Sequence, residues 1–419
     1  MRILLAAILG AVGLTAADTQ RIALALKAQA EFSRVESSAA LTVIETQACI
    51  QAQAAMLPLA LRDEAAGVHY RKGFCMLADA SLTRNSTEFS EAAVELGKAI
   101  ESWPARDPAD RSRSAQPPPS GLHIMAAIAR LKSGVDDSVA ARAQDEIASA
   151  VNLHQCTAGV LRETTCQEIL GVGRQWLGWL ALRRDDVFAA LRELTGTESS
   201  GWTAWANARK EFRYGSYAEA ARQYRQASGI WDAARRKTVQ TWIDPLGPPT
   251  DVEAAYRELG GTELLAGNPQ GAIQSLNLAI KDDPADARAI FLRARAKELT
   301  GQSEAAQADY SLASRTAFAT GNAQSGEAHL YRGILFYRRK DFAHAENEFS
   351  SALNFEIAAS LRAEAAAWRQ LAAVASGSCG ASRDNLQQSL AQVSPYFPKD
   401  EARARIGSCS PVSSARSGL

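Results

Sequence analysis

Between Tyr256 and Pro284 the chain sets Tyr256, Leu259, Gly260, Gly267, Ala272, Leu276, Ala279 and Pro284 at the spacing of two helices joined by a short turn. Small residues at Gly260, Ala272 and Ala279 let two antiparallel backbones approach closely. Tyr256, Leu259 and Leu276 fill the seam, and Pro284 ends the second helix. The chain therefore reads as a stack of such pairs if the pattern recurs, and it does.

Ala294, Gly301, Ala306, Tyr310 and Ala313 each stand 34 residues after their counterparts. Gly333, Phe336, Phe342, Ala345, Phe349 and Ala352 form a third copy, displaced by a further 39, with the extra five residues lengthening the junction Gly321–Ser325. These copies run over 254–285, 287–319 and 326–356. Upstream, Gly215, Tyr217, Ala220, Tyr224 and Ala227 form a second-helix signature after a first helix over 202–214. Leu177, Gly178, Val187, Ala190 and Leu194 form a shorter copy. Ala92, Leu96, Ala99 and Pro104 form a more distant one, with a first helix over 64–82. Leu361–Ala375 and Arg383–Val393 make a last pair without the small-residue signature, as terminal repeats often do.

The pattern resembles the tetratricopeptide repeat, well over 200–356 and weakly before that. The resemblance implies an all-α, right-handed α-solenoid of antiparallel helix pairs that holds other molecules. Such repeats serve many unrelated partners, so they name none and set no oligomeric state. Composition agrees with the helical reading: alanine is abundant, runs of alternating Val, Ile and Thr are scarce, and 47% hydrophobic residues over 419 positions suffice for a sizeable core.

Along the chain we expect a signal peptide at 1–17, an N-terminal helical region with a degenerate repeat at 18–104, a Pro-rich linker at 105–121 and a second helical region at 122–199. Tetratricopeptide-like repeats follow at 200–395, then a C-terminal helix and tail at 396–419. Arg2, the apolar run Ile3–Leu14 and the small residues Ala16 and Ala17 have the three-part order of a secretory leader, cleaved after Ala17. The run is short for a membrane span, and no later segment is apolar enough to supply one. The linker holds Pro108 and Pro117–Pro119 among polar residues, and the break Asp244–Thr250, with three prolines, reads as a loop inside the array.

An exported chain with six cysteines points to disulfides. Cys49 with Cys75, Cys156 with Cys166 and Cys379 with Cys409 is the pairing that closes the shortest loops, among fifteen that are combinatorially open. The location implied is periplasmic or extracellular.

Lys plus Arg and Asp plus Glu are both 46, for a net charge of zero, so nothing in the balance asks for nucleic acid. The basic clusters Arg209–Arg213 and Arg235–Lys237 read as solvated helix faces. The five histidines lack the i, i+4 spacing of a helical zinc site. His154, Cys156 and Cys166 make a poor ligand set once the thiols are oxidised, so neither a metal nor a cofactor is expected. Phosphate-loop and nucleophile-elbow patterns are missing, and Gly377–Gly380 reads as a structural cysteine turn.

In tetratricopeptide proteins the first helix of each repeat lines a concave groove. Projecting that register here directs Trp179, Trp202, Trp205, Arg209 and Phe212 toward a groove, continued by Arg257, Arg288, Phe291, Arg295, Leu330, Ile334 and Tyr337. Aromatic and arginine side chains are common binding anchors. The family's Lys and Asn clamp for a peptide carboxylate is not reproduced, since Arg257, Gly261, Arg288, Leu292 and Leu330 stand there. The leading expectation is a non-catalytic scaffold of the cell envelope that binds a peptide or partner protein. Alternatives are an enzyme with its active site in 18–199 and the repeats as a docking arm, or a structural part of an envelope or secretion assembly.

Overall fold

The computed structural model describes residues 15–61, 64–103, 120–134, 136–153, 163–197, 200–237, 241, 243–319, 326–355, 357 and 359–409. Among the described residues it is all-α, with nineteen α-helices, two short 3-10 turns and no strand. The chain divides into two compact units: residues 1–206 with 232–250, and residues 207–231 with 251–419.

Unit 1 contains α1 (Ala16–Ser37), α2 (Val43–Met56), α3 (Ala65–Thr83), α4 (Ser86–Glu101), α5 (Ser120–Ser133), α6 (Asp137–Leu153), α7 (Glu163–Arg183) and α8 (Val187–Glu193). Its boundary crosses α9 (Gly201–Arg213) and α10 (Tyr217–Arg235). Consecutive helices from α1 to α8 pack on one another. A single core runs from Phe32 and Phe74 through Leu96 to Leu122, Ile124, Ile147 and Trp176, so the segment before residue 104 packs with the helices after it. The expected linker is shorter than 105–121 at its C-terminal end, because Ser120 and Gly121 are already buried in α5. The rest of it, 105–119, lies outside the described residues. Leu246, in the Pro-rich break, is buried in this core, and its carbonyl accepts the Trp176 indole N–H at 2.8 Å.

Unit 2 contains α11 (Val252–Leu265), α12 (Pro269–Asp282), α13 (Ala287–Leu299), α14 (Ser303–Ala319), α15 (Gly326–Arg338), α16 (Phe342–Asn354), α17 (Ala359–Ala375), α18 (Ala381–Ser389) and α19 (Lys399–Ser408). From α11 to α18 each helix packs on the next, and α19 packs on α17 and α18. The three sequence repeats are the pairs α11–α12, α13–α14 and α15–α16. Their fold is tetratricopeptide-like.

One turn recurs between the helices of a pair. Gly267 and Gly301 both take a left-handed conformation with φ of +78°, and Asp185 and Lys340 take it at +60° and +63° without the freedom of glycine. The next residue donates its backbone N–H to a carbonyl five residues back: Asp186 to Ala181, Asn268 to Glu263, Gln302 to Lys297 and Asp341 to Phe336, at 2.8–3.0 Å. This satisfies carbonyls that a helix end leaves open. Asp186, Asn268 and Asp341 then cap the following helix by accepting from the N–H groups of Ala189, Gly271 and His344. A cap of this kind contributes about 1 kcal/mol.

The close approach within a pair rests on one contact. A Cβ built on Gly260 would lie 2.4 Å from Leu276, one on Gly178 2.5 Å from Leu194, and one on Gly333 2.6 Å from Phe349. In each case the bulky partner follows sixteen residues later. Gly73 meets Leu96 in the same way at 2.7 Å, across the longer helices α3 and α4.

Gly260→Ala is therefore expected to destabilise the chain by about 1–2 kcal/mol, because overpacking outweighs the roughly 1 kcal/mol that alanine gains in a helix. Urea unfolding of Gly260→Ala, Leu276→Ala and the double variant measures it. The double variant should lose less than the two singles summed. A stabilising Gly260→Ala would contradict the contact.

Candidate functional site

The face formed by the first helices of unit 2, α11, α13, α15 and α17, carries charge as well as apolar surface. Arg257, Arg288, Arg295, Glu298, Arg338 and Glu364 all stand on it. The chain's own residues 394–409 lie against it. Pro395 and Pro398 bracket Tyr396 and Phe397, which keeps this stretch out of helix until α19 begins at Lys399.

The contacts run along the face. The Tyr396 hydroxyl sits over Gly261, where an added Cβ would come within 2.6 Å of it. Arg295 donates to the Tyr396 backbone carbonyl at 3.1 Å while its other terminal nitrogen pairs with Glu298 at 2.7 Å. Phe397, 3% exposed, packs edge-on against Trp368 with ring centroids 5.1 Å apart. Ser394 donates its hydroxyl to Glu364 at 2.8 Å. Glu401 accepts from the Tyr337 hydroxyl and from Arg338, both at 2.8 Å. Arg338 also pairs with Glu298 at 2.7 Å, and the Tyr310 hydroxyl donates to the same carboxylate. Arg295, Glu298, Arg338 and Glu401 thus form one chain of alternating charges that spans two first helices and the C-terminal segment.

These contacts set the protonation states. Burial works against the charge of Arg295, yet Tyr310 and Glu298 beside it hold the guanidinium firmly protonated. Burial raises the Glu364 carboxyl above the usual carboxylate range, against the hydrogen bond from Ser394. Burial acts on Glu401 in the same sense, but the charge and hydrogen bond of Arg338 and the hydrogen bond of Tyr337 outweigh it and pull that carboxyl down. Burial likewise pushes the Tyr396 phenol up.

The residues expected to line a groove have different surroundings. In unit 2, Arg288 is exposed, near Glu258, Glu327, Tyr331 and Tyr396. Arg257 is half-buried and pairs at 2.7 Å with Asp286, the cap of α13, so it secures a helix start. Phe291 is buried, stacked on Tyr331 at 4.5 Å. Leu330 and Ile334 are buried in the same core, and Tyr337 is buried between Phe342, Trp368 and Glu401. Phe212 is half-buried against Tyr217, and Arg209 is half-buried too. In unit 1, Trp202 is buried and meets the half-buried Trp205 edge-on at 6.5 Å, and half-buried Trp179 meets Trp176 at 5.2 Å. The Arg183 guanidinium lies over the Trp179 ring.

Reasoning from the repeat alone missed Ser394, Tyr396, Phe397 and Glu401, because they follow the last helix pair and match no repeat position. Two prolines around an aromatic pair, ahead of a cysteine that can be tethered, were the available signal.

The disulfides Cys49–Cys75 and Cys379–Cys409 are formed, with Cα atoms 6.0 and 5.7 Å apart. Cys166 is also disulfide-bonded, while Cys156 and His154 lie outside the described residues. No group of three or more His, Cys, Asp or Glu able to hold a metal occurs among the described residues. No described helix is long and apolar enough to cross a membrane. The leader segment 1–14 and the junction Gly321–Ser325 lie outside the described residues. Thr15 caps α1 in a capping box with Asp18.

Comparison with known proteins finds no matching family model and no matching curated protein. Solved structures do match. A thermophilic TPR protein of Thermus thermophilus is 16% identical, covering 50% of this chain and 98% of its own, with a TM-score of 0.35. A tetratricopeptide repeat protein from Parabacteroides merdae is 14% identical, covering 70% of this chain and 97% of its own, at 0.37. Yeast Tom70 is 10% identical, covering 93% and 88%, at 0.35.

If Glu401 ties the C-terminal segment to the face, stability should fall on acidification. A carboxylate held below its unfolded pKa of about 4.3 stabilises the fold above that value and loses the contribution as pH drops through its folded pKa. Glu401→Gln should melt lower than wild type at pH 7 and lose less stability between pH 5 and pH 3. Parallel melting curves across that range would contradict the assignment.

Proposed function

We propose that the chain is a non-catalytic protein-interaction scaffold exported to the cell envelope, and that the first-helix face of unit 2 is its binding surface. The observation that carries this reading is that the face already holds a short peptide segment. It does so with both main-chain and side-chain contacts: Arg295 on a backbone carbonyl, Trp368 against an aromatic ring, Tyr337 and Arg338 on a carboxylate. Those are the elements with which a groove recognises an extended partner. Export is supported by the leader-like residues 1–17 and by the formed disulfides, which persist in oxidising compartments.

Arg288 is the residue of the expected groove best suited to a test. It is exposed, whereas Arg295 and Arg257 are committed to structural ion pairs whose reversal would disturb the fold. Crosslinking capture from the native host with the full mature chain, analysed by mass spectrometry, should recover a small, recurrent set of envelope proteins. Arg288→Glu should reduce that recovery several-fold while the chain keeps its helix content and a cooperative melting transition. Recovery that is identical for wild type and Arg288→Glu would remove this face from the reading, and an empty capture with both the oxidised chain and the chain carrying Cys379→Ser and Cys409→Ser would remove the scaffold role.

A further inference from the structure

Charged side chains are seldom buried without a partner, and a surface meant to be covered permanently is normally apolar. The first-helix face under residues 394–409 is neither wholly apolar nor open. Its apolar niche at Trp368 is filled by Phe397, while Arg295, Glu298, Arg338 and Glu364 beneath the segment keep the charged composition of a recognition surface. The covering segment has the character of a bound peptide. Ser394–Pro398 is irregular, contributes one aromatic pair and a main-chain acceptor, and continues into a ten-residue helix that presents Glu401.

One covalent tie holds that segment's far end. Cys409, 7% exposed, is bonded to Cys379 across a separation of 30 residues. Cys379 is half-buried in a turn whose neighbours Gly377, Ser378 and Gly380 are exposed, with Gly377 and Gly380 at φ of +100° and +64°. The disulfide is therefore approachable from the Cys379 side. The loop it closes contains every strap contact named above.

We propose that residues 394–409 are a tethered ligand of this face, and that opening the Cys379–Cys409 disulfide frees the face for a partner segment of the same chemistry: two adjacent aromatics followed by an acid. The inference rests on the reading of the face as a binding surface. The reductant is a protein or small-molecule dithiol. One of its thiolates attacks the Cys379 sulfur and expels Cys409 as a thiolate, which takes a proton. Its second thiol resolves the mixed disulfide, so the donor leaves as a disulfide and the chain gains two electrons and two protons as two thiols. The strap then loses its covalent tie to Cys379, and binding becomes a competition in which the tether's effective concentration no longer has a covalent lock behind it.

The test uses a fluorescent synthetic peptide of sequence Ser394–Ser408 and the full-length protein. The chain with Cys379→Ser and Cys409→Ser isolates this disulfide from Cys49–Cys75, which a reductant would also open. The peptide should bind that variant at least tenfold more tightly than the oxidised wild type, and a peptide altered at the Phe397 or Glu401 position should lose about tenfold of that affinity. A second variant, Tyr396→Ala with Glu401→Ala, weakens the strap while leaving the array and the disulfide intact, and should bind the peptide with intermediate affinity. Circular dichroism of both variants should match wild type in helix content.

Equal affinity for oxidised wild type and the double-serine chain would overturn the gating. Failure of both variants to bind the peptide while they stay folded would make the segment a permanent part of the array. Because only this chain and its own segment are used, either result is independent of whether a host protein is captured.

Discussion

Two helices can stack closely only where one backbone leaves room for the other's side chain. In this chain that room is made by glycine on the first helix and filled by a leucine or phenylalanine on the second: Gly178 with Leu194, Gly260 with Leu276, Gly333 with Phe349, and Gly73 with Leu96. Everything else follows from repeating it. The contact fixes the spacing inside a pair, the left-handed residue after the first helix fixes the turn, with a side-chain cap added by Asp186, Asn268 and Asp341, and consecutive first helices are then brought side by side to form one face of unit 2.

Because that face is built from residues not consumed by packing within a pair, its chemistry is free to differ from that of the core. It bears arginines and glutamates linked into a chain of alternating charges, and an aromatic niche at Trp368. The C-terminal segment fits both. Its phenylalanine enters the niche, and its Glu401 supplies the carboxylate that ends the charge chain. Burial works against the charge of both Arg295 and Glu401, and their charged and hydrogen-bonding neighbours outweigh it, holding the guanidinium protonated and the carboxyl below the usual carboxylate range.

Much of the architecture was legible from residue spacing. Gly267 and Gly301 mark turns because a left-handed residue is needed there, and the small-then-bulky contact repeats with a fixed interval in the good copies. The turns at Asp185 and Lys340 were harder to see, since no glycine announces them. The Gly73–Leu96 pair was hidden because longer helices stretch the interval from 16 to 23 residues. For the site, the residues projected toward a groove stand on helices, and the repeat register carries no information on what covers them. Phe291, Leu330, Ile334 and Tyr337 are drawn into the core by their neighbours, and Arg257 is taken up by a helix cap. A segment with no repeat signature lies against Gly261, Arg295 and Trp368, and periodicity has nothing to say about a non-periodic segment.

The central claim, that residues 394–409 of the chain lie on its own first-helix face, is tested most directly by placing a photo-crosslinking phenylalanine analogue at position 396 in the oxidised full-length protein. Irradiation of the monomer, followed by peptide mapping, should join position 396 to peptides spanning Val252–Leu265 or Ala287–Leu299, where Gly261 and Arg295 stand. Adducts confined to other helices, or none at all in a folded monomer, would contradict it.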